Sequence, residues 1–163
     1  MERKEITKNL SILLESYLKI KDPRIYWAKE VTFNCGSTDQ FRVDYMKIVP
    51  ENNSISGIEQ SKVYCYEIKS CENDFNSIHG HNFIGDYNYY IMPYDLYEKV
   101  KTKLPYNIGV LCPDNSSFQL QTFEYLKSVK KAHKQNRSKP LLEILFMMFR
   151  SYARDKNKEE LYD

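Results

Sequence analysis

Lys62–Ser70, with the sequence KVYCYEIKS, is the stretch from which the fold is predicted. It is rich in β-forming residues, and on a strand residues two positions apart point to the same face. Glu67 and Lys69 therefore stand side by side, whereas Tyr66 and Ile68 point to the other face, into a core. An acid and a base that face together at the end of a buried strand are unusual in a plain sheet, so both are candidates for chemistry.

Upstream lies a second predicted strand, Phe41–Val49 (FRVDYMKIV), in which Asp44 is the only acid among apolar and aromatic neighbours. The segment 50–60 between the two strands is polar and contains Asn, Ser and Gly, which is typical of a hairpin loop. Asp44, Glu67 and Lys69 then form a D…ExK constellation on neighbouring strands.

The rest of the chain predicts an α/β protein, more narrowly an α+β fold with a central mixed sheet flanked by helices. Residues 1–163 form one domain, with a charged tail from about residue 154 that frays. The further predicted elements are helices at Ile6–Ile20 (ended by Asp22-Pro23), Asn73–Ile78, Tyr94–Lys103 and Pro140–Tyr152, and strands at Ile25–Asn34, Tyr87–Met92, Ile108–Cys112 and Phe118–Phe123.

Composition limits the function classes. The formal net charge of +2 is too small to indicate a nucleic-acid binder, so that hypothesis must rest on local charge. The chain has four cysteines and no C-x-x-C pair, and the charged N-terminus lacks the apolar core of a signal peptide. We expect free thiols in a reducing cytoplasm and no association with a membrane, since no apolar run is long enough to cross one.

Two carboxylates on neighbouring strands form a hard oxygen site, suited to Mg²⁺ or Mn²⁺ rather than zinc. We expect Asp44 and Glu67 to bind the ion, with the Ile68 backbone carbonyl as a further ligand. Lys69 could orient or deprotonate a water, or stabilise negative charge in a phosphodiester transition state. The alternative is that these residues form surface ion pairs at a strand edge, since an isolated E-x-K occurs by chance in many proteins.

The blocks RVDYMKI, KVYCYEIKSCENDF, GDYNYYIMP and DLYEKVKTKLPYNIGVLCPD, within Arg42–Asp114, resemble the PD-(D/E)xK nuclease superfamily. Within this superfamily, the blocks most resemble the MmcB-like DNA-repair nucleases and their phage relatives. The resemblance implies a restriction-endonuclease-like core with Asp44, Glu67 and Lys69 in the catalytic roles. The superfamily often adds an acid, for which Glu15 and Glu30 are the candidates here. Val43 precedes Asp44 where the superfamily pattern has a proline.

The segment 126–139 is strongly basic and is the best candidate for contact with a phosphate backbone, since clustered Lys and Arg release counterions on binding DNA. The alternative is the solvated face of a helix. The candidate DNA-binding residues are Lys127, Lys130, Lys131, Lys134 and Arg137.

The sequence thus predicts a Mg²⁺-dependent deoxyribonuclease, acting in DNA repair or phage DNA processing. RNA remains open as a substrate, and so does a homodimer. The alternative is a catalytically silent binding protein on the same fold, such as a phage-encoded inhibitor or accessory factor. Nothing in the sequence separates an active site from an inactive one.

Overall fold

A computed structural model describes residues 2–19, 25–114 and 126–159. It contains five α-helices, a 3-10 turn and six strands in these residues. The helices are α1 (Arg3–Leu18), α2 (Ile55–Glu59), α3 (Glu72–Phe75), α4 (Tyr94–Val100) and α5 (Leu141–Glu159), and the 3-10 turn Lys101–Lys103 follows α4. The strands are β1 (Tyr26–Phe33), β2 (Phe41–Val49), β3 (Lys62–Ile68), β4 (Tyr87–Ile91), β5 (Gly109–Pro113) and β6 (Leu126–Lys130).

The six strands form one sheet in chain order, β1 to β6. β1, β2 and β3 are an antiparallel meander, β3, β4 and β5 run parallel, and β6 returns antiparallel to β5. The predicted α+β fold with a mixed sheet and flanking helices is therefore confirmed. Parallel strands need crossover connections, and these are formed by the segments that contain α3 and α4.

Helices cover both faces of the sheet. α1 buries a stripe of four leucines against residues that include Tyr66 and Ile68, as expected for side chains that alternate along β3. On the other face α5 packs on β1 through Ile144 and Met148, and α4 packs on β5. Since Tyr66 and Ile68 face α1, Glu67 and Lys69 face the side of α4 and α5.

The alternation of faces breaks at the same level on β1 and β2. Toward α5, β1 presents Ala28 and then Val31, and β2 presents Val43 and then Met46. In each strand these two residues are three positions apart instead of two, so the regular alternation of faces is interrupted between them. Glu30 lies at this level with a left-handed backbone, φ +54°, which L-residues other than Asn and Asp seldom adopt. This irregularity lies at Glu30 on β1 and at Asp44, which is opposite it on β2.

Several predicted boundaries need correction. The loop at 50–60 joins a hairpin as predicted but contains α2, which Ser54 caps by accepting a hydrogen bond from the Gly57 N–H. The last helix is longer than predicted, since α5 continues beyond Tyr152 to Glu159, whereas the fraying of the charged tail from about residue 154 stays a prediction. Residues 160–163, the predicted strand Phe118–Phe123 and the predicted helix stop at Asp22-Pro23 lie outside the described residues.

Candidate functional site

Asp44 and Glu67 lie opposite each other on adjacent strands. Tyr45 pairs with Tyr66 across β2 and β3, and one further step of this antiparallel register brings Asp44 opposite Glu67. Asp44 Oδ2 accepts a hydrogen bond of 2.9 Å from the backbone N–H of Ile68. The fold thus brings the two acids of the D…ExK constellation together.

Glu67 is fully buried, with 0% of its surface exposed. Neither of its carboxyl oxygens has a hydrogen-bond partner of normal geometry among the described residues. Burial, and next the Asp44 carboxylate, raise the pKa of Glu67 to about 9. Burial also raises the pKa of Asp44, against the opposing effects of the Ile68 N–H and Arg42. At neutral pH Glu67 therefore carries a proton, and buried carboxyl oxygens that make no hydrogen bond of normal geometry are rare in native structures.

Lys69 is 1% exposed and stands on the same face as Glu67. Its ammonium donates to the backbone carbonyls of His79 at 2.6 Å and Asp74 at 3.2 Å. Burial lowers the pKa of Lys69, whereas Asp74 and then Glu67, in its ionised form, raise it. In this conformation the ammonium is held by the protein and does not face solvent.

The loop that follows α3 covers both motif residues. Gly80 has φ +70°, and a β-carbon added there would lie 2.7 Å from Lys69 Nζ and 3.2 Å from Glu67 Oε2. Asn82 Nδ2 anchors the loop to the carbonyl of Arg42 at 2.8 Å. Only a residue without a side chain allows the backbone to approach the two groups this closely.

His81 fastens the same loop to β4, although loop histidines are more often solvated. Its Nε2 lies 2.9 Å from the Ser77 carbonyl and its Nδ1 lies 2.5 Å from the Tyr90 hydroxyl. A carbonyl can only accept, so Nε2 carries the proton and Nδ1 accepts from Tyr90. Tyr90 is also the β4 residue paired with Glu67. The sequence contained the glycine and the histidine but no signal that they fold back over the motif.

The two candidate additional acids lie in different places. Glu30 lies opposite Asp44 in the β1–β2 register. It forms an ion pair with Arg42 at 2.5 Å; burial raises the pKa of Glu30, Arg42 lowers it and Asp44 raises it. Glu30, Asp44 and Glu67 thus form a row across three strands.

The expectation that Glu15 reaches the site is not supported by its contacts. Its carboxylate accepts from the Tyr45 hydroxyl at 2.8 Å and from Lys29 Nζ at 3.2 Å. Tyr45 belongs to the cluster under α1, on the face of the sheet opposite Glu67. None of its described contacts is with Asp44 or Glu67, because α1 places the carboxylate on the wrong side of the sheet.

The row of Glu30, Asp44 and Glu67 is a candidate site for a divalent cation. No group of three or more His, Cys, Asp and Glu side chains with the spacing of a metal site occurs in the described residues. The two oxygens of Glu67, buried beside Asp44 with no hydrogen bond of normal geometry among the described residues, nevertheless fit a hard cation, because such ions prefer carboxylate and carbonyl oxygens. The donor set therefore suits Mg²⁺ or Mn²⁺ if Glu67 releases its proton.

The basic segment does not form a helix, contrary to the alternative considered from the sequence. Residues Leu126–Lys130 form the edge strand β6. Lys130 donates to three backbone carbonyls, those of Pro105, Tyr106 and Ile108. This lysine therefore closes the turn before β5.

Two other basic residues are also engaged internally. Lys127 forms an ion pair with Asp114, and Arg137 Nε lies 3.4 Å from Asp86. Lys131 and Lys134 are exposed, with no ion pair to another described residue. Of the five candidate DNA-binding residues, these two are exposed and form no ion pair with a described residue, whereas Lys127 is exposed but paired with Asp114.

Comparison with known proteins identifies a similar fold but indicates no activity. No protein-family model and no curated protein matches the chain. A solved structure, the SPO1766 protein of unknown function from Silicibacter pomeroyi, is similar with a TM-score of 0.62 at 17% sequence identity. The match covers 97% of this chain and 92% of that chain. At this identity the similarity concerns the fold alone.

Two further properties bear on the setting of the chain. All four cysteines are free thiols, and Cys65 and Cys112 are buried. Within the described residues, no helix combines the length and the apolar character that crossing a membrane requires.

Proposed function

We propose that the chain is a cytoplasmic nuclease that hydrolyses phosphodiester bonds of DNA with a divalent metal ion, Mg²⁺ or Mn²⁺, on a restriction-endonuclease-like core. One observation carries the proposal. Asp44 and Glu67 meet across β2 and β3, and both Glu67 oxygens are buried with no partner of normal geometry among the described residues. Burying a carboxyl group that makes no hydrogen bond of normal geometry is costly even when it is protonated, and a metal-binding role accounts for its position.

Asp44, Glu67 and the Ile68 carbonyl would hold the metal ion. When bound, such an ion polarises the phosphate and lowers the pKa of a bound water. Glu67 must first lose the proton that its raised pKa keeps on it at neutral pH. Lys69, beside Glu67 on the same face, would place a positive charge where negative charge develops on the phosphate.

The loop that covers Glu67 and Lys69 restricts the access of a substrate in this mechanism. Lys69 donates to the carbonyls of His79 and Asp74, and Gly80 lies against its ammonium. The loop at 77–82 must therefore lift before a phosphate reaches Lys69. The same observation favours a second candidate function, a catalytically silent binding protein in which Glu67 and Lys69 remain enclosed and stabilise the fold.

A cleavage assay tests the first function. The wild type would be incubated with duplex, single-stranded and branched DNA and with RNA, in Mg²⁺, in Mn²⁺ and in EDTA. We expect metal-dependent cleavage that Asp44→Asn, Glu67→Gln and Lys69→Met each abolish. Glu15→Gln is the matched control, because it also removes a carboxylate but one that contacts neither acid. A wild type inert on every substrate in both metals overturns the nuclease proposal.

Calorimetric titration with Mg²⁺ and Mn²⁺, combined with the cleavage assay, separates the two candidates. The nuclease proposal predicts binding that Glu67→Gln removes and that Glu15→Gln leaves unchanged. A silent binding protein shows no turnover whether or not it binds the metal, and its loop at 77–82 stays closed when DNA is added. Hydrogen exchange of the Gly80 and His81 amides, measured with and without DNA and metal, reports that closure.

A further inference from the structure

Helix α5 exposes four large apolar side chains. Leu142 is 78% exposed, Phe146 56%, Phe149 67% and Tyr152 58%. They are spaced by four, three and three residues, so on a helix of 3.6 residues per turn they form one stripe along its length. No other element described here exposes as many.

The opposite face of α5 is also apolar. Ile144 and Met148 are buried in the cluster under the helix, and Ser151 is buried beside them. A helix that is apolar on two opposite faces is typically covered on both. With about 200 Å² for each complete side chain, the exposed fractions of the stripe amount to roughly 500 Å², at the upper end of the largest apolar patch of an ordinary monomer.

We propose that a second copy of this chain covers the stripe, through antiparallel packing of α5 on α5 about a two-fold axis near Phe146 and Met147. A stable dimer buries about 800 Å² per partner. The stripe supplies more than half of that area as its apolar centre, and the polar flanks of α5 supply the rim. Phe146 and Phe149 of the two copies then meet at the middle of the interface.

The charges beside the stripe are self-complementary in this arrangement only. Glu143 and Arg150 are seven residues apart, two turns along the same flank of α5. Antiparallel two-fold packing brings Glu143 of each copy against Arg150 of the other, twice in the dimer. Parallel two-fold packing would instead carry this flank to the opposite side of the interface in the second copy, so that Glu143 and Arg150 would not meet.

The contacts of Arg150 within the described residues leave its guanidinium available for such an ion pair. Its Nη1 lies 3.9 Å from Cys35 Sγ and 3.8 Å from Met147 Sδ, and no described carboxylate pairs with it. Glu143 accepts from Lys139 at 2.9 Å, which leaves its second oxygen for a guanidinium. The pairing thus uses a cation that has no acidic partner among the described residues of the single copy.

Size-exclusion chromatography with light scattering on the full chain tests the proposal. We expect about twice the single-chain mass of 19.5 kDa, falling toward the single mass on dilution. Phe146→Asp and Phe149→Asp should each raise the dissociation constant about tenfold or more, since both lie at the centre of the interface. Ile78→Asp is the control, because Ile78 is 89% exposed but lies outside α5. Circular dichroism confirms that each variant is folded.

A charge swap tests the antiparallel arrangement. Glu143→Arg and Arg150→Glu should each weaken the dimer several-fold, and the combination should restore it, because the swapped charges again meet across the axis. A wild type that remains monomeric at millimolar concentration overturns the proposal, whether or not its stripe binds another protein or a lipid surface. A dimer that the two phenylalanine variants leave intact, or that the double swap fails to restore, overturns it as well. None of these outcomes depends on nuclease activity.

Discussion

Gly80 lies directly over the ammonium of Lys69, so closely that a β-carbon at position 80 would stand 2.7 Å from Nζ. The end of a lysine is usually mobile and yields to such a contact. Here the ammonium is buried and held by the carbonyls of His79 and Asp74, so displacing it breaks two hydrogen bonds to a charged group. These two hydrogen bonds therefore hold Lys69 against the loop in this conformation.

Gly80→Ala should lower the free energy of unfolding by about 2–4 kcal/mol, from the left-handed backbone and the displaced ammonium together. Gly36→Ala is the matched control. Gly36 also has positive φ, +79°, but a β-carbon there meets nothing within 4 Å, so it should cost only about 1 kcal/mol. Urea unfolding of both variants measures the difference. In a Lys69→Met background Gly80→Ala should cost no more than Gly36→Ala; an undiminished cost would contradict the contact.

The sequence predicted the strands of the meander well because β2 and β3 are dense in β-branched and aromatic residues. It did not predict β6, since two of the five residues of LKSVK are lysines and only Leu126 of this strand is buried. An edge strand needs a partner on one side alone, so its residues can be polar without weakening the sheet. Such strands are specified by the neighbouring strand rather than by their own pattern.

The candidate site was predicted in the same uneven way. The spacing in β3 was enough to place Glu67 and Lys69 on one face, and the hairpin was enough to bring Asp44 near them. The loop that covers Glu67 and Lys69 was not predictable, because Gly80 is a single glycine in a polar loop. Its close approach to Lys69 depends on β3 and β4 being in place. Nor could the sequence distinguish Glu15 from Glu30, since the choice depends on the face of the sheet that α1 covers.

Mutation should distinguish the lysines of the segment 126–139 that stabilise the fold from those that only face solvent. Lys130→Ala should lower the free energy of unfolding by about 1 kcal/mol or more, because its ammonium satisfies three carbonyls. Lys131→Ala and Lys134→Ala should leave it within about 0.5 kcal/mol. If the chain binds DNA through this segment, that pair should reduce the slope of log affinity against log salt by about 2. An unchanged slope would remove the segment from the binding surface.

Arg154 should stabilise the junction between α5 and the acid row. Its guanidinium donates to the carbonyls of Glu30 and Lys29, each at 3.2 Å, next to the left-handed turn at Glu30. Arg154→Met should lower the free energy of unfolding by about 1 kcal/mol. Lys158→Met, one turn along the same helix and exposed, is the control and should change it little. Equal effects of the two variants would show that the carbonyl contacts contribute nothing.

Glu67 should make the protein less stable as pH rises. Its pKa is about 9 in the folded chain against an ordinary value of 4.5, so between these values the folded state keeps a proton that the unfolded state has released. Each pH unit in this window then favours unfolding, by at most about 1.4 kcal/mol, and the dependence ends below 4.5 and above 9. Glu67→Gln should flatten the profile and raise stability at pH 8.

The same experiment in Mg²⁺ or Mn²⁺ tests what the carboxylate is for. A metal ion bound by ionised Glu67 replaces its proton, so added metal should stabilise the wild type more at pH 8 than at pH 6 and should have no effect on Glu67→Gln. Glu15→Gln should respond as the wild type does, because its carboxylate lies on the other face of the sheet. Equal stabilisation of wild type and Glu67→Gln would place any metal elsewhere. A pH-dependent wild type that ignores metal would identify Glu67 as a buried acid of a silent site.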